Sequence, residues 1–351
     1  MAKLVYSEAE ILSEHDYAQT HEVNGQRLHG GFDSTGAYIP PRSRGRTEAI
    51  TAWTEALQKR GGAPFACDAS LLSGPRLPNA RQHEYLIRAG IDEILWRLFT
   101  TTGKIEARGR ALAEIEFPDL GQAVEEDISQ MAIGHLNRGL LKAHGFDEGG
   151  QDNVGGHDAM WFILRDLVFE PHDDVEPPER IDRPDPPDRL APEIDAEFEG
   201  LLSFLMNLLI IEFRAEIGFK VSQDTLRSTA FDDRRQAADQ AAEMVEHIRT
   251  DEEIHVDSLR LYLGELCECT FKPAGGGDGP GVSGRVIIER MWEDLTHWAV
   301  AEQPPKACQQ QWELIAPLLR QARPDPAGAD QLVDEFLALG DVTQTELETA
   351  Q

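Results

Sequence analysis

The residues best placed to do chemistry lie between 243 and 259. At helical spacing Val245, Ile248, Glu252, His255, Leu259 and Leu263 follow one another in steps of three and four, so they share one face. That stripe should be buried, yet a carboxylate and an imidazole stand in its middle. Burying either group is costly unless a partner side chain, water or a metal ion compensates it. Glu-x-x-His sets two ligating groups one turn apart on the same side of a helix, which suits a cation held inside a helical bundle.

The preceding element must supply the rest of such a site. Residues 201–213 are apolar nearly all round, the composition of a helix at the centre of a bundle, and they deliver Glu212 and Glu216 at their far end. A polar break, Phe231-Asp232-Asp233-Arg234-Arg235, lies between Glu216 and Glu252. With a turn near residue 234 each of these two acids stands about 18 residues, or about 27 Å, from it, so they meet at one level of an antiparallel hairpin. Glu216, Glu252 and His255 are therefore expected to hold one metal ion and to bridge to a second.

On these residues the chain resembles the second half of the ferritin-like di-iron superfamily: a Glu on the third bundle helix, then Asp-Glu-x-x-His on the fourth, present as Asp251-Glu252-Glu253-Ile254-His255. The resemblance covers about residues 195–265. It implies an all-α, ferritin-like four-helix bundle, a bound iron centre with manganese as the alternative ion, and O2 as a co-substrate.

The first half must then provide matching ligands. An amphipathic helix is expected over 79–102, with Ile87, Ile91, Ile94, Leu95 and Leu98 as its stripe, stopping near Thr100-Thr101-Thr102-Gly103; a short helix over 105–116 follows and ends before Pro118. His83 reads as a core or boundary histidine. A longer helix is expected from Asp119 to about His144, closed by Gly145, with Val124, Ile128, Met131 and His135 on one face. After a glycine-rich loop, 148–156, a helix from His157 carries Met160, Ile163, Leu164 and Leu167, and Glu170 continues that stripe. With a turn near residue 150, ligands at equal depth are His135 on one side and Asp166 or Glu170 on the other, and His135 and Glu170 are the first-half metal candidates. His157 reads as a first-turn helix residue with no metal role. No Glu-x-x-His occurs here, since Ala132 and Val154 stand three before His135 and His157, so a mononuclear or degenerate site stays open.

Three regions follow: an N-terminal arm with a short helix (1–76), a helical bundle (77–270) whose proline-rich stretch 170–192 forms the crossover between its two hairpins, and C-terminal helices (271–351) at about 283–299, 306–322 and 329–339. Glycine and proline punctuation around 29–44 suggests an extended arm or small hairpin, packed on its own domain or on a neighbouring subunit, which leaves a homodimer open. The tail 343–351 is expected to fray.

With 351 residues and 41% hydrophobic content the chain can build a real core, and a net charge of −30 without any Lys/Arg block argues against nucleic-acid or anionic-membrane partners. Cys67, Cys267, Cys269 and Cys308 lack zinc or thioredoxin spacing. The N-terminus has no signal core and no apolar run spans a bilayer, so the cytoplasm is expected. No Gly-x-Ser-x-Gly occurs, and the glycines of 272–281 lack the lysine of a phosphate loop. The leading functional expectation is a non-haem iron oxidoreductase that hydroxylates, desaturates or N-oxygenates a small organic substrate, with Met206, Phe213 and Phe219 lining a greasy pocket. An iron-handling ferroxidase and a metal-free binding or structural module are the rivals.

Overall fold

The fold is organised by two long helices, α8 (Ala196–Arg227) and α9 (Arg235–Cys267), which pack along each other as a hairpin closed by the 3-10 turn Thr229–Arg234. The computed structural model describes residues 4–184, 186, 188–277, 279–323 and 325–349, and most of them are helical. In α8, Leu201, Leu202, Leu205, Met206, Leu209, Ile210 and Phe213 are all buried, as expected of a helix covered on several sides. In α9 the stripe Val245, Ile248, Glu252, His255, Leu259 and Leu263 is buried from end to end, its two polar members included.

Helices α4 (Glu93–Gly109), α6 (Leu141–Gly149) and α7 (His157–Val168) pack on one another, and α7 lies against α9. Their boundaries differ from the sequence reading. The span 79–102 contains two helices, α3 (Ala80–Arg88) and then α4, because Gly90 adopts a left-handed φ of +78° and ends α3 with its amide on the Ile87 carbonyl. No stop occurs at Thr100-Thr101-Thr102-Gly103. The Thr100 and Thr102 hydroxyls bond to the carbonyls of Trp96 and Leu98 one turn back, both at 2.9 Å, and α4 runs on to Gly109.

The helix expected from Asp119 to His144 is instead a string of short turns: α5 (Leu120–Ala123), the 3-10 turns Ile128–Gln130 and Ala132–His135, and a wide turn Leu136–Leu140. Asp119 and Asp127 accept from the amides of Gly121 and Ser129, and Gly139 takes a φ of +116°; this turn chemistry outweighs the apolar periodicity. Helix proper begins at Leu141 and passes through Gly145 to Gly149.

The N-terminal region comprises α1 (Glu8–Ile11), a three-stranded antiparallel sheet of β1 (Gln19–Val23), β2 (Gln26–Phe32) and β3 (Tyr38–Ile39), and α2 (Ser43–Lys59), which packs on α9. Strand β2 is tied to the α6–α7 loop by His29 N–H to Gly155 O at 2.9 Å and Gly155 N–H to Arg27 O at 3.0 Å. The described residues of 170–192 contain no helix; Pro187 lies outside them. After the ladder of β4 (Thr270–Phe271) and β5 (Val282–Ser283), α10 (Gly284–His297) covers α8 and α9. Helices α11 (Gln303–Gln321), α12 (Pro326–Leu337) and α13 (Gln344–Thr349) form a group that α12 joins to α3. The tail is thus helical to Thr349, and Ala350 and Gln351 lie outside the described residues, as does Asp278 in the 272–281 loop. No helix of the described residues is long and apolar enough to cross a membrane.

Two apolar cores divide the hairpin. One takes α8 up to Phe213 and α9 from Leu259 onward; the other takes α8 from Phe219 and α9 up to Ile248. Between them runs a polar layer at the level of residues 212 and 251–255. A third core joins α3 to α11, α12 and α13.

Beside that third core His83 is buried, its Nδ1 has no hydrogen-bond partner, and burial pushes its pKa down to about 4. Below about pH 6.5 the unfolded chain therefore takes up a proton that the folded chain refuses, and stability falls between there and pH 4, by at most about 3 kcal/mol. His83→Leu is expected to lose less stability than the wild type between pH 7.5 and 4.5 in urea melts; equal losses would contradict this assignment.

Candidate metal centre

The polar layer gathers seven buried ligating side chains from five helices. His144, Glu148, Glu212 and His255 place one ligand atom each within 4.8 Å of one another, and so do Glu106, Glu148, His157 and Glu252; Glu148 belongs to both sets. In the first set His144 Nε2 lies 3.4 Å from Glu148 Oε1 and 3.1 Å from Glu212 Oε1, and His255 Nδ1 lies 3.2 Å from Glu148 Oε1. In the second, His157 Nδ1 is 3.1 Å from Glu252 Oε1 and 3.8 Å from Glu148 Oε1. Ligands about 2.1 Å from a common ion stand roughly 3 to 4 Å apart, so these separations suit a cation in each set.

Local structure explains how each group arrives. Glu106 projects from the last turns of α4, which exist because the helix continues past Gly103. His144 and Glu148 are one turn apart on α6, and Gly150, with φ +71°, ends that helix directly after Glu148. Gly109 leaves the space into which Glu148 reaches, since a Cβ there would stand 2.6 Å from Glu148 Cγ. His157 opens α7, Glu212 comes from α8, and Glu252 and His255 from α9. The rings of His144 and His255 stack at 3.8 Å.

Each of two cluster histidines is gripped from behind by an aspartate. His255 Nε2 meets Asp147 Oδ2 at 3.0 Å, and His157 Nε2 lies 3.4 Å from Asp251 Oδ2, so in both rings Nδ1 faces the cluster. The two dipeptides Asp147-Glu148 and Asp251-Glu252 thus play the same double part: the Glu enters the cluster and the Asp orients a histidine carried by a different helix. Both aspartates are held by the N-terminal region. Arg46 Nη1 reaches Asp147 Oδ2 at 2.6 Å and Arg42 Nε reaches Asp147 Oδ1 at 3.0 Å. Tyr38 donates its hydroxyl to Asp251 Oδ2 at 2.9 Å, where His29 Nε2 also lies at 3.1 Å.

The donor set carries its own electrostatic demand. With all four acids ionised and the three imidazoles neutral, the state in which they would ligate a metal, Glu106, Glu148, Glu212 and Glu252 bring four negative charges into a dry layer. Two divalent cations balance that charge. Burial and then Glu148 push the Glu106 carboxyl well above its ordinary range, and burial and then Glu252 push Glu212 up to about 8. Burial pushes His157 and His255 down, but the surrounding carboxylates, Glu252 foremost, outweigh it and hold both well above the usual imidazole value. Glu148 Oε1, His144 Nε2 and His157 Nδ1 are buried, point into the cluster and make no hydrogen bond. Orphaned donors and excess negative charge fit bound cations.

Of the five metal candidates taken from the sequence, the structure brings Glu252 and His255 together and leaves Glu216, His135 and Glu170 outside. Glu216 is exposed. The turn is centred near residue 231, not 234, so the position level with Glu252 falls near 210 and Glu212, not Glu216, lies within a turn of it. His135 is buried elsewhere: its Nδ1 meets Met131 O at 2.8 Å, its Nε2 accepts from Tyr6 N–H at 3.3 Å, and its ring packs on Trp53. Glu170 lies beyond the end of α7 and is exposed, and Asp166 is exposed and paired with Arg165. His157, read as a plain first-turn residue, is instead wholly buried among Glu148, Asp251 and Glu252. The residues missed were Glu106, His144, Glu148, His157 and Glu212. For two of them, His144 and Glu148, a signal was present: a second Asp-Glu pair like Asp251-Glu252, with His144 one turn before its Glu.

Compared with protein-family models, curated protein sequences and solved structures, the chain matches none.

Removing one clamp should expose the strain the others bear. Arg46→Met leaves Asp147 buried with a single guanidinium and is expected to cost about 3 kcal/mol in urea unfolding. In a double-mutant cycle Arg46→Met with Asp147→Asn should cost clearly less than the sum of the single changes; strict additivity would show that the pair is not coupled.

Proposed function

We propose that this chain is a non-haem di-iron oxidoreductase of ferritin-like type that uses O2 to oxidise a small organic substrate. The observation that carries the reading is the sharing of Glu148 between two buried ligand sets. Helices α4, α6 and α7, α8, and α9 would then be the members of a ferritin-like bundle, with 170–192 as its crossover. The donor set is mixed carboxylate and imidazole, which suits iron or manganese better than the thiolate-preferring ions. Bound iron would supply a place for O2 and the electrons for its reduction.

The chain's own residues do the rest. Asp147 and Asp251 fix the tautomers of His255 and His157, so that Nδ1 turns its lone pair inward. The two apolar cores on either side of the layer exclude water and raise the strength of every charge interaction within it. Met206, Phe213 and Phe219 belong to those cores. A polar hollow of about 390 Å³ offers a different approach for substrate: Arg110 in its wall stands four residues beyond Glu106, Gly149 follows Glu148, and Asp158 follows His157. Gln26, Gln151 and Asn153 complete a lining that favours a polar molecule.

A metal-free module would have to bury four converging carboxylates with protons as their only counter-charge, which weighs against it. Iron handling without an organic substrate would use the same ligands, and sustained turnover of Fe2+ and O2 alone would favour it.

Elemental analysis of protein purified from its own host tests the reading. About two irons per chain are expected, falling below one in Glu148→Ala and unchanged in the exposed Glu216→Ala. A metal-free wild type, or full metal content in Glu148→Ala, would sink it.

A further inference from the structure

With 63 acidic residues against 33 lysines and arginines, a partly buried arginine in this chain would be expected to find a carboxylate. Arg214 and Arg76 do not. Arg214 lies two residues past Glu212 on α8, so its side chain leaves the helix roughly 200° around from the metal centre. Its guanidinium rests over the ring of Trp298 at 5.4 Å, and its Nη2 is buried with no hydrogen-bond partner. Among the described residues Arg214 has no ion pair, and the charges that act on it are those of Arg76 and Arg180, both of its own sign.

Arg76 precedes α3 and is partly buried, and among the described residues it too makes no hydrogen bond or ion pair. The acidic group that acts on it is the thiol of Cys308, which burial pushes up and keeps protonated at neutral pH. Arg180 stands at the rim on the 170–192 crossover, exposed and paired with Asp182 at 2.7 Å. Three segments far apart in sequence are pinned around this place: Cys308 Sγ–H points at Pro75 O at 3.6 Å, Gln310 donates to Glu179 O at 3.0 Å, and Arg183 pairs with Asp294 at 2.9 Å.

A lysine in such a place can shed its proton; a guanidinium cannot, so Arg76 and Arg214, which have no acid beside them, retain their repulsion and their unmet donors, while Arg180 at the rim already shares its charge with Asp182. An oxyanion relieves both. A carboxylate satisfies one guanidinium fork, whereas the tetrahedral oxygens of a phosphate accept from several guanidiniums arriving from different directions. On the same face of α8, Ile211 is exposed and Gly218 has open space where a side chain would lie, which leaves room for the remainder of a ligand.

We propose that Arg76, Arg180 and Arg214 form a binding site for a phosphate group, on the side of α8 away from the metal centre. The phosphate arrives free or as part of a small phosphorylated molecule, and its binding ties α8, the segment before α3 and the crossover together.

The test uses the full chain as wild type, Arg214→Met and Arg76→Gln, melted in inorganic phosphate, in glycerol phosphate and in chloride of matched ionic strength, with calorimetric titration of the two phosphates. Phosphate is expected to raise the wild-type melting temperature by several degrees over chloride. Arg76→Gln should weaken phosphate binding by about tenfold or more. Arg214→Met, which keeps a side chain over Trp298 and removes the unmet cation, should melt above the wild type in chloride and show no phosphate response. Tighter binding of the ester than of inorganic phosphate would identify a phosphorylated molecule as the ligand; equal or weaker binding would identify free phosphate. A wild-type response no larger than that to chloride, or a phosphate response that survives both substitutions, would overturn the proposal.

Discussion

Four carboxylates enclosed at one level between two apolar cores are the constraint on which the rest of this structure depends. Each would be costly there alone, and together they repel. The fold meets that demand in layers. Imidazoles from α6, α7 and α9 stand between the acids, aspartates orient two of the imidazoles, and arginines, a tyrosine and a further histidine hold the aspartates. In the innermost shell Glu148 Oε1, His144 Nε2 and His157 Nδ1 have no hydrogen bond. On the proposed reading cations complete that shell.

The N-terminal region is thereby part of the centre and not an appendage. It contributes none of the seven side chains of the cluster, yet it supplies Tyr38, Arg42, Arg46 and His29, the four groups that grip the two aspartates. The two grips are unequal in charge. Asp147 is held by two guanidiniums, one of which also reaches Glu14, while Asp251 has a phenol and imidazoles around it. The strand-like register of His29 and Gly155 fixes the α6–α7 loop to the same sheet, so the spacing between Glu148 and His157 is set from outside the helices that carry them.

The sequence was most legible where periodicity was long and uninterrupted. The α8–α9 hairpin, the buried stripe of α9 with Glu252 and His255, the irregular 170–192 segment and the C-terminal helices all follow from apolar spacing and from proline. The level of Glu212 was misjudged by one turn because the 3-10 segment Thr229–Arg234 absorbs residues that a sharp turn at 234 would have left in α8. The first half resisted because local chemistry overrode pattern there. Threonine hydroxyls that bond back within the helix carried α4 past an apparent stop to reach Glu106, while Asp and Gly turns dissolved an apparent helix around His135. His157 was discounted for its place beside a glycine loop, whereas that loop is what lets Glu148 and His157 enter one cluster from two helices.

Anomalous scattering at the iron edge from crystals of the iron-loaded protein tests the central claim most directly. Two peaks are expected, roughly 3.5 to 4 Å apart, one among His144, Glu148, Glu212 and His255 and the other among Glu106, Glu148, His157 and Glu252. Peaks elsewhere, or none in this layer at saturating iron, would contradict it.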